Sequence, residues 1–228
     1  MSTVPSASST ATHRLSIEEL RRAELIEAAV VTIHDRGFEN ATVRDIARAA
    51  GGSPASVLYY FKSKDELLAA AFEESDVRFR AMVRESIENE TGFDKIARLI
   101  AICFPDGQVD SPLWSLQIDL WSLARRRAEF RAIFEKASAD WLDIVESAVV
   151  DAVSVGDMRR IVSPRRVALG LAALIDGLAV EERATEHVTP SLAREIAMDY
   201  VESLRSAAPS AVGRRRTRTA APDGGGRP

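Results

Sequence analysis

With 228 residues, 46% of them hydrophobic and 28% charged, the chain can bury a substantial core in one or two domains. A formal net charge of −4 excludes a uniformly basic nucleic-acid coat, and a single cysteine, Cys103, excludes an internal disulfide framework. No run approaches the ~18 apolar residues of a membrane span; the nearest, 167–180, is broken by Asp176 and Gly177.

Residues 1–13 are rich in Ser, Thr and Ala and lack the cationic start and apolar centre of a secretory signal. They read as a disordered leader, and a cytoplasmic, nucleoid-associated location is the expectation. A three-helix unit is expected over 14–62. Its first helix runs from Glu18 to Asp35 and leads into Gly37-Phe38. Thr42 caps the second helix, with Asp45 three residues on in the capping-box position. Gly51-Gly52 ends it, since glycine tolerates the positive φ of a tight C-cap. Ser53 caps the third helix with Pro54 at its first position, and Ser63 with Glu66 opens a fourth.

Two short helices across a glycine turn are the layout of a helix-turn-helix, whose second helix enters the DNA major groove. A three-helix subdomain that binds nothing has the same caps. The exposed chemistry favours DNA. Small residues Ser53, Pro54, Ala55 and Ser56 let the recognition helix press close, and Tyr59, Tyr60, Lys62 and Lys64 add donors for phosphate. Residues 1–68 nonetheless hold eight Lys/Arg against nine Asp/Glu. Affinity must therefore come from local placement of cations and fall steeply with salt.

A larger all-α body is expected over 63–206. Lys64 to about Glu88 forms one long helix whose apolar stripe includes Phe72, Phe79 and Met82. Further helices are expected from Phe93 to Cys103, Pro112 to Arg126, Ala128 to Val155, Arg165 to Ala184 and Ser191 to Ser206. The last two carry the stripes Val167, Leu171, Leu174, Ile175, Leu178 and Leu192, Ile196, Tyr200, Leu204. Small residues Gly170, Ala173 and Gly177 allow a partner helix to approach. Both stripes equally suit packing within one chain. Residues 207–228 are Gly/Pro/Ala-rich with an arginine run at 214–218, and read as a disordered basic tail.

The segment from Thr42 to Leu68, TVRDIARAAGGSPASVLYYFKSKDELL, resembles the DNA-binding signature of TetR/AcrR-type bacterial repressors, and the match extends over about 17–72. Gly52 stands where valine is usual, Ala55 where glycine is usual, and Leu58 where a phosphate-binding tyrosine is common. The resemblance implies an all-α protein with a helix-turn-helix head and a helical body that binds ligand and dimerises through its last two helices. It implies that Ser53, Pro54, Ala55, Ser56 and Tyr59 read or brace the groove of double-stranded operator DNA. Thr42, Val43 and Arg44 approach from the preceding helix, and Tyr60 and Lys64 hold phosphates.

Trp114, Gln117, Ile118 and Trp121 share a helical face, and with Phe72 and Phe79 they are candidates to line a ligand cavity. Ordinary core packing accounts for each of them as well. Asp119 and Asp176 are the acids that stand out in apolar surroundings, where a carboxylate needs a partner. Residues 111–124 and 173–178 resemble the choline-responsive (BetI-like) branch of these repressors. That resemblance implies a small-molecule effector, an amine or polyamine, which releases the dimer from a palindromic operator. A ligand-dependent activator and a helical interaction module without DNA binding are the rival readings. An enzyme is not expected. His13, His34 and His187 lack partners at metal-ligand spacing, no phosphate-binding glycine loop is present, and no cofactor is implied.

Overall fold

The computed structural model describes residues 16–105, 112–159 and 163–205, with the backbone alone for 112–115. Among these residues it forms nine helices: α1 (Ile17–Arg36), α2 (Val43–Ala49), α3 (Pro54–Tyr60), α4 (Lys64–Ile87), α5 (Gly92–Cys103), α6 (Pro112–Ala124), α7 (Ala128–Ser154), α8 (Pro164–Ala184) and α9 (Pro190–Glu202). An isolated bridge between Met158 and Arg205 is the only β pairing among them. None of the described helices is long and apolar enough to cross a membrane. The leader at 1–13 and the tail at 207–228 lie outside the described residues.

Side-chain caps set most of the helix starts. Ser16 and Glu19 exchange bonds in a full capping box, Ser16 N–H donating to Glu19 at 2.7 Å and Glu19 N–H to the Ser16 hydroxyl at 3.1 Å. Thr42, Ser53 and Ser63 accept from the N–H groups of Asp45, Ser56 and Glu66. The expected second capping box takes a different form, because the Glu66 carboxylate accepts from Lys62 N–H at 2.7 Å, one residue before the cap. At the C-terminal end, α9 stops at Glu202, short of the expected Ser206, which is outside the described residues.

The start of α5 has no local cap. Thr91 makes no capping bond. Instead Asp151, on α7, accepts from Gly92 N–H at 2.5 Å, and Asp157, beyond its end, accepts from Phe93 N–H at 2.9 Å. Two carboxylates from far along the chain thus sit at the positive end of a helix, where charge-assisted bonds are strong. Gly92 makes this possible. Its φ is 59°, and a Cβ there would fall on the Asp157 carboxylate and Val155. Gly92→Ala is therefore expected to destabilise the fold by about 2 kcal/mol through strain and lost capping, read as a lower denaturation midpoint at unchanged slope.

The hydrophobic core falls into two clusters that do not follow chain order. One joins Leu25, Ile33, Phe38, Ile46, Val57 and Phe61 to Leu67, Leu68 and Phe72 of α4, then adds Leu116, Leu120 and Leu123 of α6 and Phe130 of α7. The other packs the end of α4 with α5, α7, α8 and α9. The three-helix head is thereby fixed to the body by α4 and α6 together. On α8, Val167, Leu171, Ile175 and Leu178 face inward, and Gly170 is covered by the Tyr200 ring of α9 in the same chain. The opposite face, with Leu169, Ala173 and Gly177, stays exposed, as do Leu192 and Ile196 on α9.

Candidate functional site

Two regions carry chemistry. The first is the outer face of the head. Thr42, Arg44, Ser53, Pro54, Ala55 and Tyr59 are exposed, Tyr59 by 77%; Ser56 and Tyr60 are half-buried. Val43 also packs partly on the head core. Phe61 and Val57 anchor α3 from beneath, so its first turn and Tyr59 face outward, while Tyr60 packs partly on the head core. Tyr59 and Tyr60 meet edge to face with ring centres 5.0 Å apart, which braces one phenol against the other. Lys64 is held in place rather than free: its ammonium donates to the Glu39 carbonyl at 3.2 Å and lies 5.1 Å from the centre of the Phe38 ring. Three donors on one ammonium leave capacity for a further acceptor.

At the α2–α3 turn the Arg21 guanidinium reaches from α1 over Gly52 to donate to the Ala50 carbonyl at 3.1 Å. That bond satisfies a carbonyl at the end of α2 and pins α1 to the turn. Nearby, the Thr42 hydroxyl holds the Asp45 carboxyl below its usual range, with Arg36 and Arg48 assisting at 3.6 and 3.5 Å. Arg48 is thus partly matched, whereas Arg44 keeps its exposed position.

The second region is a cavity of about 60 Å³ between α4, α5, α6, α7 and α8. That is several times the ~10–15 Å³ a single water needs. Phe72, Phe79, Leu116, Leu120, Phe134 and Trp141 supply apolar walls, and Gln117, Ser75, Ser138 and Cys103 supply small polar groups. The Phe79 and Trp141 rings lie 5.7 Å apart, tilted by 39°. The charged members are Asp76, Arg80 and Asp176. Arg80 is 5% exposed and pairs with Asp76 at 2.5 Å and with Asp140. Burial raises the Asp76 carboxyl despite that cation. Asp176 meets no cation among the described residues, and burial pushes its carboxyl up to about 6. Burial likewise raises the Cys103 thiol, with the Asp176 charge adding to it. A thiol so protonated is inert as a nucleophile.

Of the residues proposed from sequence, the cavity gathers Phe72, Phe79, Gln117 and Asp176. Trp114 is on α6, but its side chain lies outside the described residues. Ile118 is half-buried and does not line the cavity, and Met82 is exposed. Trp121 lines a separate open hollow with Arg125, Arg131 and Phe134. Asp119 turns to the head instead, accepting from Phe38 N–H at 2.9 Å. Burial raises its carboxyl, an effect that this bond partly offsets. Sequence reasoning missed Trp141, Asp76 and Arg80. Trp141 was within reach, because Phe134, Ala137, Ser138 and Trp141 repeat the 3, 4, 7 spacing that singled out α6. Asp76 and Arg80 lie on the inner stripe of α4, where charge argues against burial unless the pair is seen together.

Family models match both the head and the body of the chain. Residues 25–71 match the family described as bacterial regulatory proteins, tetR family, and 92–206 match BetI-type transcriptional repressor, C-terminal. The chain is 31% identical to the HTH-type transcriptional regulator BetI of Cronobacter sakazakii over 171 residues, 72% of this chain and 80% of that one. A TetR-family regulator from Rhodococcus sp. superposes with a TM-score of 0.71 at 25% identity, over 82% of this chain and 98% of the other. A transcriptional regulator from Saccharomonospora viridis, solved in complex with choline, shares the fold with a TM-score of 0.76 at 22% identity. It covers 82% of this chain and 98% of its own.

Proposed function

The chain belongs to the TetR family of transcriptional regulators, with a BetI-type C-terminal domain, and from that premise we propose a dimeric repressor released from a palindromic operator by a small organic cation. Its relatives are DNA-binding regulators and not enzymes. The observation that carries the effector reading is the Asp176 carboxylate, which meets no cation among the described residues, in a cavity walled by Phe79 and Trp141. Aromatic faces and a carboxylate together attract an ammonium group, while the surrounding apolar wall penalises the empty charged state. The choline found in the S. viridis neighbour is in keeping with that class of ligand. Acting in the bacterial cytoplasm, the protein would sense the cation where it regulates.

Support for the dimer is the exposed apolar residues of the last two helices, Leu169, Ala173 and Gly177 on α8 and Leu192 and Ile196 on α9. A two-fold pair of heads reads two half-sites, about 34–36 Å apart for one helical turn of DNA. Release needs a route from cavity to head, and Phe38 supplies it. Its ring stacks on Phe72 of the cavity wall at 6.2 Å, its N–H is held by Asp119 of α6, and Lys64 sits over it. Movement of α6 around a ligand would turn the head through that bond.

Selection of bound duplexes from a random library at near-physiological salt tests the reading. A palindromic motif is expected from the unliganded protein. Tyr59→Ala should weaken that operator by ~10–150-fold, the loss of a bond to a charged phosphate, and leave the melting temperature within about 2 °C because the ring is exposed. A motif recovered only with an added cation would replace the repressor by a ligand-dependent activator. No motif under either condition from folded protein would remove the DNA-binding assignment of these residues.

A further inference from the structure

The recognition helix of the head lacks the side chains that read base edges by paired hydrogen bonds. Its sequence, PASVLYY, holds no Arg, Lys, Asn, Gln, Asp or Glu. Charged groups flank α3 without riding on it: Arg44 is on α2, and Lys62 and Lys64 lie beyond its end. Val57 is 1% exposed and turns inward with Phe61, which leaves Pro54, Ala55, Leu58 and Tyr59 outward. Ser56 and Tyr60 are half-buried, and the Ser53 hydroxyl is engaged as the cap. Leu58 is 51% exposed, and its spacing of three from Ala55 puts both on one strip of the helix. The outward strip of α3 is therefore apolar, with one phenol beside it.

Resting on the DNA-binding reading of the head, we propose that Leu58, together with Ala55, is a specificity-determining residue that reads thymine methyl groups in the major groove. The C5-methyl is the apolar mark that an A·T pair shows there, and an apolar side chain is its matching contact. Covering it removes the methyl and the leucine from water together. A cytosine in the same place sets an amino donor against Leu58, which has no acceptor to meet it. Each half-site should then hold at least one A·T pair that α3 recognises by its methyl and not by its hydrogen-bonding edge.

The test uses the motif selected from the random library and anisotropy titrations of the full-length protein on synthetic duplexes. Thymines are replaced in turn by uracil, which lacks only the methyl. At the thymine facing Leu58, uracil is expected to weaken binding by ~4-fold, and by ~15-fold when both half-sites carry it. Cytosine there should bind more weakly still, and 5-methylcytosine should regain the same factor over cytosine. In Leu58→Ala, a change at an exposed position, the thymine-to-uracil ratio should fall to within ~2-fold. A variant that weakens both duplexes in step, with the ratio preserved, overturns the role of Leu58. Equal binding of thymine and uracil duplexes at every position by the native protein overturns the methyl readout and leaves the DNA-binding reading standing. A selected half-site without an A·T pair does the same. Failure to select any motif, with or without an added cation, overturns the DNA-binding reading and this inference with it.

Discussion

Asp176→Asn is expected to stabilise the unliganded protein and to cost ~30-fold or more in affinity for an organic cation. The two effects have one origin. In the unfolded chain this carboxyl titrates near 3.8, and in the fold burial pushes it up to about 6, with no cation among the described residues to offset that. Between those values the folded state holds a proton that the unfolded state has released. Stability therefore falls as pH rises through that window, and the loss is complete above it. A shift of about two pKa units corresponds to roughly 3 kcal/mol at neutral pH. Asparagine removes that penalty, and a gain of about 2 kcal/mol would raise the melting temperature by roughly 4–8 °C.

The affinity loss follows from the proposed complex, in which the same carboxylate would be the counter-charge for the ligand. Removing one partner of a largely buried pair costs about 2 kcal/mol or more, which is the ~30-fold. Protons and cations compete for Asp176, so affinity in the native protein should be level above about pH 7. Well below pH 6 it should drop by ~10-fold per unit, a slope absent from the asparagine variant. Calorimetry across pH, paired with thermal melts of both proteins, reads all of this. A variant that binds the cation as well as the native protein would remove Asp176 from the site. On this reading stability is given up for a binding group, as is common where function and packing disagree.

What the sequence made legible divides along the same line as its interactions. The caps of α2, α3 and α4 are local, each decided within three or four residues, and they stand where Thr42, Ser53 and Ser63 imply. The cap of α5 was hidden because Asp151 and Asp157 arrive from about 60 residues away. The cavity was legible in part. Apolar spacing on α4 pointed to Phe72 and Phe79, but the same logic passes over Asp76 and Arg80, whose burial depends on Asp140 from α7. Asp119 and Asp176 looked alike in sequence, as acids among apolar neighbours. The fold gives one a backbone partner and leaves the other empty-handed. No local pattern carries that difference, since it depends on which helix crosses α6 and which crosses α8.

Asp119 then has a different task from the one its sequence context suggests. Its bond to Phe38 N–H joins the helix that borders the cavity, through Leu116, Gln117 and Leu120, to the turn that positions the head. Asp119→Ala is expected to leave both binding events intact and to uncouple them. Effector and operator compete through a coupling free energy of about 1–3 kcal/mol in typical systems, so a saturating cation should weaken the native operator complex by ~5–150-fold. In the variant this factor should fall to within ~3-fold. The stacking of Phe38 on Phe72 persists, but a ring contact at 6.2 Å slides under small displacements where a directed hydrogen bond does not. Loss of a half-buried amide partner should cost about 1 kcal/mol in stability, too little to unfold the head. Operator titrations with and without cation give the factor, and cation titrations with and without operator must return the same number, because the coupling is reciprocal. A variant with unchanged coupling would mean that α6 turns the head by packing alone, through Leu116, Leu120 and Leu123 in the core that it shares with Phe38.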